Sequence, residues 1–180
     1  MRFWPGLLSG ALLGLMPLAA AAEIVSASYA EPTQRYQHGV FGETEEWGAL
    51  AFGLSDGQTM ILRLPETRVF EDIFPRLADV DGDGAPEMIV VETDLSLGAR
   101  LAIYDEMGFV AATPFIGQTH RWLAPIGVAD LDGDGLIEIA YIDSPHLARL
   151  LRVWRFQDGT LVEVAQVEGL TNHRLGDPAI

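Results

Sequence analysis

The stretch ADVDGDGAPE, from Ala78 to Glu87, recurs as ADLDGDGLIE, from Ala129 to Glu138, 51 residues further along the chain. Each copy places three aspartates at alternate positions, with glycines between and after them, and ends on a glutamate. Ionised carboxylates this close repel one another, so the pattern needs a bound cation, free solvation, or a turn that simply favours Asp and Gly. One copy leaves all three explanations open, whereas two copies with the same acids in the same places favour a bound cation.

The spacing of the acids indicates calcium. The aspartates stand at positions 1, 3 and 5 of each loop, a glycine at position 6 and the glutamate at position 9. Calcium takes about six to eight oxygen ligands, and the position-6 glycine allows a turn that directs the next carbonyl inward. The predicted ligands are Asp79, Asp81, Asp83, the carbonyl of Ala85 and Glu87 in the first loop, and Asp130, Asp132, Asp134, the carbonyl of Leu136 and Glu138 in the second.

Other metal sites fit the loops less well. An EF-hand needs a glutamate at position 12, where this chain has Val90 and Tyr141, and it needs flanking helices. The residues that follow each loop are instead typical of strands. Magnesium seldom uses an all-protein cage, and zinc is poorly served by a loop without cysteine or a histidine pair.

The chain is built from repeats of about 50 residues. PEMIVVETD (Pro86–Asp94) matches IEIAYIDSP (Ile137–Pro145), and each is followed by a hairpin signal, Asp105 to Gly108 and Asp158-Gly159. An earlier unit has two strands around Ser55-Asp56-Gly57 but no acidic loop. We expect a degenerate first repeat at 23–70, repeats with calcium loops at 71–121 and 122–172, and the start of a truncated repeat at 173–180.

These units predict an all-β fold of β-propeller-like repeats, each with three to four antiparallel strands. No segment shows sustained helical periodicity. A closed propeller has about four to eight blades, so three incomplete units predict an incomplete propeller or a fragment. An incomplete propeller in turn predicts self-association.

The N-terminus predicts export. Residues 1–22 have the pattern of a signal peptide, with Arg2, an apolar run from Leu7 to Leu18, and an Ala20-Ala21-Ala22 cleavage site. No later segment is apolar enough to span a membrane, so we expect a bacterial protein of the periplasm or the extracellular space. The chain has no cysteine, so burial or metal must supply its stability. A net charge of −15 disfavours nucleic-acid partners and favours cations.

A motif D-x-D-G-D-G-x-x-E between strands, repeated every 50 residues or so, resembles the FG-GAP/VCBS-type repeats of integrin α-subunit propellers and their bacterial relatives. The resemblance extends from Glu71 to Ile180 and is loose before that. It implies a strand-connecting loop in each blade, two structural Ca²⁺ ions, and ligand roles for the eight acidic residues named above.

No residue is predicted to be catalytic. The chain has no G-x-S-x-G, no H-E-x-x-H and no phosphate-binding glycine loop. His120 and His173 recur at matching places and are expected to be packing contacts, whereas His38 and His146 are isolated in the sequence. Trp122 and Trp154 are candidates for a carbohydrate platform, although core packing is favoured for Trp154.

These features predict an exported, non-enzymatic calcium-binding protein that presents a surface to a protein or glycan partner. The alternative is that the repeats scaffold an exported hydrolase or oxidoreductase whose catalytic residues lie outside this chain.

Overall fold

The computed structural model describes residues 22–42, 45–174 and 176. The predicted signal peptide lies outside these residues except for its last position, and most of the predicted final repeat lies outside them as well. The described residues form twelve strands and no helix, and so contain none that is long and apolar enough to cross a membrane. The strands are β1 (Ile24–Thr33), β2 (Glu46–Leu54), β3 (Thr59–Arg63), β4 (Arg68–Phe70), β5 (Arg76–Ala78), β6 (Glu87–Asp94), β7 (Gly98–Asp105), β8 (Gly108–Ala112), β9 (Leu123–Ala129), β10 (Glu138–Asp143), β11 (Leu150–Gln157) and β12 (Thr160–Glu168).

The strands form two antiparallel sheets. The larger sheet has eight strands in the order β1-β2-β4-β6-β7-β8, with β3 also paired to β2 and β5 also paired to β6. The smaller sheet has four strands in the order β12-β11-β10-β9, so its sequence neighbours are also its spatial neighbours. This arrangement confirms the predicted all-β fold with short antiparallel units.

Each acidic loop connects two paired strands. In the larger sheet Ala78 pairs with Glu87, and in the smaller sheet Ala129 pairs with Glu138. The first and last residues of each ten-residue motif are therefore cross-strand partners, and the aspartates lie in the loop between them. The β-branched runs after the motifs become β6 and β10, as predicted.

The central strand β6 is buried on both faces. Ile89 and Val91 pack in one apolar cluster with residues of the smaller sheet, whereas Met88 and Val90 pack in a second cluster with the N-terminal strands. A strand covered on both sides has no solvent face, which explains why PEMIVVE does not alternate between apolar and polar residues.

The predicted carbohydrate platform is wrong. The Trp122 ring is 2% exposed, and its Nε1–H donates to the backbone oxygen of Glu71 at 2.7 Å. Trp154 is buried in the cluster between the two sheets, as core packing predicts. Because neither indole presents an open face, neither can stack on a sugar.

Candidate metal sites

The first aspartate of each motif accepts hydrogen bonds from backbone N–H groups of its own loop. Asp79 accepts the Gly82 N–H on Oδ1 at 2.7 Å and the Gly84 N–H on Oδ2 at 3.0 Å. Asp130 accepts the equivalent glycine N–H groups at the same two distances. Gly82 and Gly84 have φ of 80° and 96°, a region that costs other residues energy, so the loop needs glycine at both places.

The glutamate at position 9 closes the loop from the strand side. Glu87 is the first residue of β6, and its Oε2 accepts the Val80 N–H at 2.8 Å. Glu138 begins β10 and accepts the Leu131 N–H at 2.8 Å. Both glutamates are buried, which fixes one carboxylate at the base of each loop.

Three acids converge in each loop at equivalent positions. Carboxylate oxygens of Asp79, Asp81 and Glu87 lie within 4.8 Å of one another, and those of Asp130, Asp132 and Glu138 do the same. Oxygens bound to one calcium at about 2.3–2.6 Å can lie up to about 5 Å apart, so each group fits around one ion. The donors are all oxygen, which suits calcium.

The remaining predicted ligands are not part of these groups. Asp83 and Asp134 accept the backbone N–H groups of Ala85 and Leu136 at 2.8 and 2.9 Å. These contacts tighten the end of each loop. The ligand roles of the two aspartates and of the two carbonyls stay predictions.

The two loops differ in charge compensation. Burial and, to a smaller extent, the neighbouring carboxylates of the first loop raise the pKa of Glu87 to about 7, against the hydrogen bond from Val80. Among the described residues, no cationic side chain forms an ion pair with an acid of this loop. The first loop therefore concentrates negative charge without a cationic partner among the described side chains.

The second loop has its own counter-ion. Arg155 lies opposite Glu138 in the β10–β11 pair, and its Nε donates to Glu138 Oε1 at 2.6 Å. Its two terminal nitrogens each lie 2.9 Å from a loop carboxylate, Asp132 Oδ2 and Asp134 Oδ2. The corresponding place beside Glu87 falls at Asp105, whose carboxylate accepts turn N–H groups instead.

Arg155 was not among the residues that the sequence predicted for the site. The only signal was an arginine on the strand after the motif, and its register against β10 could not be read. Because β10 and β11 are separated by residues 144–149, rather than by a two-residue turn, no local rule fixes their pairing.

The segment that contains the two acidic loops is similar to a known protein family. A family model described as FG-GAP-like repeat matches residues 79–141. Comparison with curated proteins and with solved structures gave no match. The matched segment begins at the first aspartate of the first loop and ends inside β10, so it contains both acidic loops. Residues 79–141 of this chain are therefore similar to an FG-GAP-like repeat, as the doubled motif predicts.

Proposed function

We propose that the chain is a calcium-binding, non-enzymatic interaction module in which each acidic loop holds one structural calcium ion. The observation that carries this proposal is the duplication of the site. The same three acids meet within 4.8 Å in both loops, held by the same backbone hydrogen bonds. An Asp-Gly turn alone does not require the buried glutamate, which adds a third carboxylate to each group.

Calcium bound in this way stabilises the fold. Each loop joins two paired strands, so its ligands come together only when the hairpin is formed. A ligand that binds only the folded state adds about 1.4 kcal/mol for each site when its concentration is about ten times the Kd. Extracellular calcium modules have Kd values of about 10⁻⁴–10⁻³ M, a range that suits an exported protein.

Export and partner binding belong to the same proposal. The signal-peptide pattern and the anionic composition support a periplasmic or extracellular location, with a protein or glycan bound by the loops of the repeats. The edge strand β12 supports self-association, because Val162, Val164 and Val167 are each about half exposed along it. An open edge strand of this kind can pair with a further repeat or a second copy.

The test is the melting temperature of the purified chain with millimolar calcium and with a chelator. We expect calcium to raise the Tm by about 5 °C or more for two sites together. The double variant Asp81→Ala/Asp132→Ala should lose this shift. Asp56→Ala is the matched control, because Asp56 caps the β2–β3 turn through Gln58 without belonging to either acidic group. An unchanged melting curve in calcium would overturn the proposal.

A further inference from the structure

All four histidines of the chain gather at one place, which we call the histidine pocket: His38, His120, His146 and His173. The first three line a cavity of about 240 Å³ with Trp122. The His173 ring lies 5.2 Å from the His146 ring and 5.0 Å from the Trp122 ring, between centroids. His38 and His146, which are isolated in the sequence, are therefore brought beside the other two histidines by the fold.

The pocket is assembled by tertiary structure. Its histidines come from the β1–β2 connection, the β8–β9 connection, the β10–β11 connection and the segment after β12. His120 and His173 stand at matching places in successive repeats, but His38 and His146 have no such relation. Packing of the repeats therefore brings together side chains that the sequence keeps far apart.

Two of the imidazoles are already spaced as metal ligands. Nε2 of His146 lies 3.2 Å from Nδ1 of His173. Two nitrogens bound to one tetrahedral zinc at about 2.0–2.1 Å are about 3.3 Å apart.

A third imidazole is oriented by a buried carboxylate. His38 Nδ1 lies 2.5 Å from Oε1 of Glu71, whose side chain is 2% exposed. The other oxygen of Glu71 accepts the Thr93 hydroxyl at 2.7 Å, so the carboxylate is held in place. A histidine that donates one ring N–H to a carboxylate offers its second nitrogen as a lone pair, which is the usual support of a metal-binding histidine.

We propose that the histidine pocket binds one divalent transition-metal ion of the zinc class, through His146 and His173 with His38 as the third ligand. Imidazole nitrogens suit zinc, copper and nickel, whereas calcium prefers oxygen, so this site is chemically distinct from the acidic loops. The net charge of −15 attracts cations to the whole surface.

Binding requires a side-chain movement. Among the described residues, only the two acidic loops already gather three ligand atoms within 4.8 Å of one another. When the ion enters, His38 therefore moves closer to the His146–His173 pair while its Nδ1 keeps the contact with Glu71. We expect the distance between the centroids of the His38 and His120 rings, now 5.0 Å, to change when His38 moves.

The test is zinc titration by calorimetry in excess calcium, which keeps the acidic loops filled. We expect one zinc per chain, with the affinity reduced at least tenfold in His146→Gln and in His173→Gln. Glu71→Gln should weaken binding by about tenfold, because it removes only the support of His38. The Asp81→Ala/Asp132→Ala variant is the control, and it should bind zinc as the wild type does.

The proposal would be overturned if calcium displaced the bound zinc. It would also be overturned if both His146→Gln and His173→Gln bound zinc with the affinity of the wild type. Should a variant fail to fold, the wild-type protein with cobalt in place of zinc gives a second reading. Strong visible absorption indicates a four-coordinate nitrogen site and supports the pocket, whereas the weak spectrum of an octahedral oxygen site contradicts it. Because His146→Gln and His173→Gln alter only the pocket, the comparison of their zinc affinities with that of the wild type holds whether or not the acidic loops bind calcium.

Discussion

The residue that defines each loop is the glutamate at position 9. Glu87 and Glu138 begin strands, so their side chains are fixed by the ladder as well as by burial. In an EF-hand the corresponding acid comes three residues later, because a helix follows the loop. Here a strand follows at once, and the cross-strand pairs Ala78–Glu87 and Ala129–Glu138 direct the carboxylate back over its own loop. The position of the last acid therefore depends on whether a strand or a helix follows the loop.

Arg155 should make the second loop the weaker calcium site. Its guanidinium pairs with three of the loop's carboxylates, so an entering ion meets a positive charge that the first loop lacks. We expect Arg155→Gln, in an Asp81→Ala background that leaves only the second loop competent, to raise calcium affinity about tenfold. Calorimetric titration at low salt measures the difference.

The matched control for this prediction is Arg152→Gln. Arg152 lies on the same strand but pairs with Asp143 and Glu163, away from the loop. It should leave calcium affinity unchanged within error. Equal affinities for the parent and the Arg155→Gln chain would show that the guanidinium does not oppose the ion.

At the scale of elements, the hairpins were predictable where turn chemistry is local. The Asp158-Gly159 signal gives a two-residue connection between β11 and β12, with φ of 51° and 74° at its two residues.

The split of one strand into β4 and β5 was not predictable. Asp72 accepts the Ile73 N–H and pairs with Arg76, and Pro75 has no N–H to donate, so the ladder along β6 is interrupted there.

Gly159, in the turn between β11 and β12, tests whether backbone conformation determines the stability of that turn. Gly159→Ala should destabilise the protein by about 1 kcal/mol, because φ of 74° disfavours a residue with a Cβ although no atom lies within 4 Å of it. Gly127→Ala in β9 is the control, since its added Cβ also meets no atom within 4 Å and its φ lies outside the positive region. Urea unfolding compares the two variants. A cost at Gly127 as large as that at Gly159 would mean that φ is not the cause.

At the scale of the whole molecule, the features that could be predicted from the sequence are the repeated units and the contacts between residues close together in the chain. The doubled motif identified the all-β units and the acids that converge, because those acids are neighbours in the chain. It could not predict the histidine pocket, whose members are 26 to 135 residues apart in sequence, since no periodicity relates all four. Contacts between distant segments depend on how the two sheets pack, and that packing is not encoded in any single unit.

Glu92 shows how such distant contacts hold the larger sheet together. It is fully buried in β6, and its carboxylate accepts Arg68 of β4 at 2.9 Å, Arg100 of β7 at 3.0 Å, and the Tyr104 hydroxyl at 2.7 Å. Burial and this carboxylate hold the pKa of Tyr104 well above its usual range. The next repeat keeps an acid at the matching place, Asp143, which pairs with Arg152 at 3.0 Å.

Glu92→Gln should therefore destabilise the molecule strongly. The amide preserves the shape of the side chain but removes the charge that faces the largely buried Arg100 and the partly buried Arg68, and breaking a buried pair in this way costs about 3 kcal/mol or more. Glu66→Gln is the control, because Glu66 is 92% exposed where it pairs with Arg35, and such pairs contribute less than about 1 kcal/mol. Urea unfolding in saturating calcium, which keeps the acidic loops equal in both variants, measures the two costs. Equal costs would mean that the sheet is held by its apolar clusters alone, and that the charged centre adds nothing to them.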